Sequence, residues 1–160
     1  MPLSILSELS QHPLFAGLPV AAVEHISDCA ANVTFSPGDL MISEGAHAGY
    51  LYLLRQGKVA LSAHAPGKGH LLVQTLGPGE VVGLSWLFEP FQWQFDVRAV
   101  EFVEAVALDG ACMRAKFDAN PPLGYQLLSR IMPVVLARLQ QTRVRLLDLY
   151  SSAPDRDVNH

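Results

Sequence analysis

The sequence predicts a mainly β fold with helices at both ends, a β-sandwich or jelly roll followed by one long helix. Three observations lead there. Turn residues recur along the middle of the chain at Pro37-Gly38, Gly45, Gly57, Pro66-Gly67 with Gly69, and Gly77-Pro78-Gly79. Between them lie short apolar or alternating runs, the pattern of many short strands with turns about every 8–12 residues. After Asn120 the apolar period changes to alternating steps of four and three, which is helical.

Composition bounds the reading. The chain has 160 residues, half of them hydrophobic and 16% charged, so it can bury a core without metal or disulfide support. Eleven basic residues against fifteen acidic ones give a net charge of −4, which offers no electrostatic case for nucleic acid as the main partner. No apolar run reaches the ~18 residues of a membrane span. The N-terminus lacks the basic flank and cleavage site of a secretory signal, so a cytoplasmic protein is expected. Cys29 and Cys112 lie far apart with no metal-ligand spacing and are read as free buried thiols.

In chain order, residues 3–10 and 20–31 carry helical spacing through Leu3, Leu6 and Leu9, then Val20, Val23, Ile26 and Ala30, with Pro19 suited to the first turn. Strands are predicted at Leu40–Ile42, Leu51–Leu54, Val59/Leu61/Ala63 and Leu72/Gln74/Leu76. Gly79 to Val100 follows: a glycine turn, a short apolar helix, an aromatic loop and a polar strand from Gln94. A last strand covers Val103–Leu108, and Asp109 is placed to cap a short helix over Ala111–Phe117. Asn120-Pro121 starts a helix reaching about Tyr150, with a kink expected near Ser129 because Pro133 removes a backbone donor. The organisation is a domain over 1–120, the long helix over 121–150 and a polar, disordered tail over 151–160.

Leu128, Met132, Val135, Leu139, Thr142, Leu146 and Leu149 form a seam along that helix. Thirty helical residues span ~45 Å, more than a small barrel covers, so the seam predicts a homodimer.

The segment LMISEGAHAGYLYLLRQG, through Ile42, Gly45, Ala48, the block Leu51-Tyr52-Leu53-Leu54 and Gly57, resembles the signature of cyclic-nucleotide-binding domains of the catabolite-activator (CRP/FNR-like) type. The resemblance runs from about Leu14 to Tyr150. It implies an eight-stranded jelly roll (double-stranded β-helix), short N-terminal helices and a long C-terminal dimerisation helix. GEVVGLSWLF looks like the family's phosphate-binding cassette, where a Gly-Glu pair holds the ribose and an Arg-Ser pair grips the cyclic phosphate. Aligning Gly83 with the cassette glycine puts Leu84 at the Glu position, and counting back from Val97-Arg98-Ala99 puts Trp93 and Gln94 at the Arg and Ser positions. Losing the guanidinium removes a charge-assisted pair worth about 1.5–3 kcal/mol, so ordinary cyclic-AMP binding is not expected. Thr142 falls where the family has a base-contacting Thr, beside Arg143.

The candidate pocket is therefore Gly83, Leu84, Ser85, Trp86, Trp93, Gln94, Asp96, Arg98, Thr142 and Arg143. Each member has a structural alternative. Trp86, Trp93 and their phenylalanine neighbours form a core, an aromatic pocket wall, or a cassette filled by Trp93. Asp96 and Arg98 bind a polar ligand or pair with each other or a neighbour. Ser85 holds an anion or caps a helix, and Thr142 sets seam register with Arg143 solvated. No catalytic constellation and no metal site is found, and His47, His64 and His70 lack the close His-x-His pair of a cupin. His64 and His70 flank a hairpin tip and are expected to be exposed.

The expected function is a regulatory sensor responding to an effector of unknown, nucleotide-like or other small-molecule chemistry, with no cofactor. The alternatives are a ligand-free dimeric scaffold that docks a protein partner, or a transcriptional-regulator-like protein acting through a partner. Family members that regulate transcription carry a winged helix-turn-helix domain after the long helix, whereas this chain ends about ten residues beyond it, so direct DNA binding is not expected.

Overall fold

A computed structural model describes residues 4–152. Two short helices, α1 (Ile5–Gln11) and α2 (Val20–Ser27), precede eight strands: β1 (Ala30–Phe35), β2 (Leu40–Ile42), β3 (Tyr50–Gln56), β4 (Val59–Ala65), β5 (Gly69–Leu76), β6 (Val81–Val82), β7 (Asp96–Ala99) and β8 (Val103–Asp109). Two helices follow, α3 (Gly110–Ala119) and α4 (Pro121–Ser152). The strands form two antiparallel four-stranded sheets, ordered β1-β8-β3-β6 and β2-β7-β4-β5. Apart from the β4–β5 hairpin, successive strands cross between the sheets and produce the expected jelly roll.

Local chemistry explains most boundaries. Leu51 to Leu54 are all buried, because the outer face of β3 is covered as well as its inner face. Gly57 turns the chain out of β3 at φ +90°, and a Cβ there would stand 2.1 Å from the Phe102 carbonyl oxygen, so only glycine fits. The Asp109 carboxylate accepts from the Cys112 N–H at 2.9 Å and caps α3 as expected.

Four expectations change. Pro19 is the N-cap of α2 rather than its first-turn residue, and the helix ends at Ser27, leaving Ala30 to begin β1. The apolar helix expected after Gly79 becomes the two-residue strand β6 and a single 3₁₀ turn, Ser85–Leu87, preceded by Leu84 and not by a serine cap. The polar strand starts at Asp96 instead of Gln94. Cys29 and Cys112 are not free thiols but a disulfide, because β1 pairs with β8 in the register Ala30↔Leu108 and brings the flanking cysteines together. The tail from residue 153, where disorder was expected, lies outside the described residues.

The long helix runs continuously through Pro133. Its first half docks by apolar contact, burying Leu123, Leu127 and Ile131. Polar arms extend the attachment. Arg130 donates to the carbonyls of Leu14 and Ala16, Arg138 to that of Val81 and Arg145 to that of Val73. Gln74 donates to the Gln141 side chain at 2.8 Å. The helix thus covers its own domain along one side, while Leu128, Met132, Val135, Leu139, Leu146 and Leu149 on the seam remain 38–68% exposed.

Candidate functional site

The stretch expected to form the cassette begins where β6 ends. Gly83 has φ +89°, and a Cβ added to it would lie 2.4 Å from Cη2 and 2.6 Å from Cζ3 of Trp93. The indole therefore occupies the space directly over the Gly83 backbone, and Trp93 is only 6% exposed. Two backbone hydrogen bonds hold it in place. Its N–H donates to the Ala46 carbonyl at 2.9 Å and its carbonyl accepts from the Gly45 N–H at 2.8 Å. Phe95 stands beside the ring at 6.5 Å between centroids.

Beneath this, Trp86 is fully buried and Ser85 nearly so, while Leu84 is half-buried against the core. Helix α3 backs them. Arg114 donates to the Trp86 carbonyl and lies 4.2 Å over the centre of the Phe91 ring, a cation–π contact. Phe117 packs on Trp86 at 6.2 Å.

The remaining predicted residues do not converge on this point. Gln94 is exposed, and its amide donates to the Gln92 carbonyl at 3.2 Å. Asp96 and Arg98 do not pair with each other: Asp96 accepts from the Glu44 N–H at 2.7 Å and lies 3.3 Å from His70 Nδ1, while Arg98 donates to the Gly38 carbonyl at 2.7 Å. Both take the structural alternative of a neighbouring partner. His64 and His70 are exposed as expected, with ring centres 5.6 Å apart.

Thr142 lies elsewhere again. Its hydroxyl donates to the Arg138 carbonyl at 2.9 Å, and it lines a cavity of about 440 Å³ between β5 and α4 with Gln74, Thr75, Glu80, Gln140 and Arg145. Arg143 is exposed next to it. Burial pushes the Arg138 guanidinium below its ordinary pKa and the Glu80 carboxylate pulls it back. The predicted pocket is thus split into a cassette end occupied by Trp93 and a helix end that is open.

Arg114, Phe117, Gln74, Glu80 and Gln141 were not identified from the sequence. Arg114 and Phe117 come from α3, Gln74 from β5 and Gln141 from α4, which meet only through tertiary packing, while Glu80 lies in the turn before β6. Among the described residues no group of three His, Cys, Asp or Glu side chains is arranged to hold a metal, and no helix is long and apolar enough to cross a membrane.

Residues 32–120 match the family profile of the cyclic nucleotide-binding domain. The chain belongs to this family. The chain is 27% identical over 149 residues to the Mycobacterium tuberculosis CRP-like cAMP-activated global transcriptional regulator. That match covers 92% of this chain but 65% of the regulator, so the chain spans less than two thirds of its length. Among solved structures, a Geobacter metallireducens GS-15 protein described as cyclic nucleotide-binding shares 28% identity at a TM-score of 0.76, covering 86% of this chain and 99% of that one. The catabolite activator protein of Thermus thermophilus shares 27% at a TM-score of 0.68, covering 87% and 63%. The domain keeps a jelly roll and a long C-terminal helix, with the Trp93 indole seated on Gly83.

Proposed function

We propose that this domain is a regulatory module whose cassette is closed by its own tryptophan and which acts as a homodimer through α4. The observation that carries the reading is the position of Trp93, buried on Gly83 where a bound cyclic phosphate would need access to the backbone. The absence of Glu, Arg and Ser at positions 84, 93 and 94 supports it, because an anion there would lose both its guanidinium and its hydroxyl partners. The exposed seam supports the dimer: its apolar side chains lie along one stripe of a helix whose adjoining stripe is already docked. The output is then docking of a partner protein on a dimer whose helix arrangement is set by the domain.

A second reading, a sensor for a small polar effector, is favoured by the cavity between β5 and α4, where amide, hydroxyl and carboxylate groups converge. Thermal-shift titration with cyclic AMP, cyclic GMP and uncharged nucleosides separates the two. Saturation at 100 times a dissociation constant stabilises by about 2.7 kcal/mol. No shift with any of them supports the closed module, a shift with nucleosides alone supports the second reading, and a shift with cyclic AMP overturns the closed cassette. Solution mass at micromolar concentration checks the dimer, and a monomer refutes it.

A further inference from the structure

Cys29 and Cys112 are separated by 83 residues, yet their Cα atoms stand 5.6 Å apart and their sulfurs are bonded. The bond ties the junction of α2 and β1 to the first turn of α3. Its surroundings differ from an inert core. Cys112 is only half-buried, whereas Cys29 is 7% exposed. One turn after Cys112, the Lys116 ammonium lies 3.3 Å from Asp28, the residue adjacent to Cys29, and 3.5 Å from the His25 ring.

What α3 touches gives the bond a consequence. Arg114 and Phe117 back the cassette through Trp86, and Phe117 also lies under Gly124 in the first turn of α4. Only Asn120 separates α3 from α4.

We propose that Cys29 and Cys112 are a reversible dithiol/disulfide couple, reduced by a dithiol, that locks α3 to the α2–β1 junction when oxidised and loosens α3, the cassette backing and the root of α4 when reduced. The regulatory consequence rests on the module reading given above. In reduction, a thiolate of the dithiol attacks Sγ of Cys112, the less buried of the two residues, and expels the Cys29 thiolate, which takes up a proton. The second thiol of the reductant, after losing its proton, attacks its own sulfur in the mixed disulfide and expels the Cys112 thiolate, which takes up a proton in turn. Two electrons pass to the protein, and the reductant leaves as its disulfide.

The test is a redox titration of the purified, folded protein against mixtures of reduced and oxidised dithiothreitol at neutral pH, with alkylation and intact-mass analysis. Hydrogen exchange is followed at both ends of the titration. The expected result is joint appearance of two thiols without denaturant, reoxidation on reversal, and at least 10-fold faster exchange confined to residues 84–88, 110–119 and 121–127. A Cys29→Ser/Cys112→Ser variant should show the faster pattern at every ratio. A bond that never forms, one that opens only in denaturant, exchange that is unchanged, or exchange that accelerates throughout the β-sheets would each overturn the couple. Solution mass and nucleotide titrations report on the module reading separately, so either idea can fail alone.

Discussion

The six-membered ring of Trp93 rests against the α-carbon of Gly83, so closely that a methyl group on Gly83 would lie 2.4 Å from the ring. The nine residues 84–92 form an excursion between them and bring the indole back over Gly83. The contact makes each residue conditional on the other.

Gly83→Ala should destabilise the protein by about 2–4 kcal/mol, combining left-handed backbone strain with overpacking. Trp93→Ala should cost about 3–5 kcal/mol. In the Trp93→Ala background the Gly83→Ala penalty should shrink to about 1–2 kcal/mol, because only the backbone strain remains. A double-mutant cycle by urea denaturation checks this, and strict additivity would show that the two do not touch.

The seam can be separated from the core by mutation. Val135→Asp or Leu139→Asp should weaken self-association by at least about 100-fold, since a desolvated carboxylate would enter an apolar interface. The stability of the isolated chain should change by no more than about 0.5 kcal/mol, both positions being exposed in it. Leu127→Asp, at a fully buried position on the docked side, should instead prevent folding. Sedimentation velocity with circular dichroism distinguishes the three.

His12 predicts an acid limb. Its Nδ1 accepts from the Leu14 N–H at 3.1 Å, so the buried ring is held neutral, and burial lowers its pKa from the ordinary 6.5 against a smaller opposing effect of the Glu80 backbone. As pH falls below 6.5 the unfolded chain binds a proton that the native ring refuses. The stabilisation is therefore complete above that value and declines through the folded pKa. His12→Asn, which keeps an acceptor for Leu14, should flatten the difference in unfolding free energy between about pH 7.5 and pH 5.5.

Much of the scaffold was legible because it is written locally. Gly57, the apolar block Leu51–Leu54, the Asp109 cap and the Asn120-Pro121 helix start each act within a few residues, and each was read from spacing alone. The strand β6 was missed because two adjacent valines carry no period to distinguish a strand from a helix. Asp96 and Arg98 were correctly placed on one strand, yet their partners His70, Glu44 and Gly38 come from other segments.

The sequence by itself determined a mainly β middle with helices at both ends, the apolar stripe on α4 and the identity of the residues at positions 84, 93 and 94. It left three fates for Trp93 open and assigned Cys29 and Cys112 as free thiols. Only the tertiary structure placed the indole on Gly83, joined the cysteines and separated Thr142 from the cassette. The physical reason is range: backbone preferences and apolar periods are set by near neighbours, whereas these contacts depend on how β1 registers against β8 and how α4 lies on the domain.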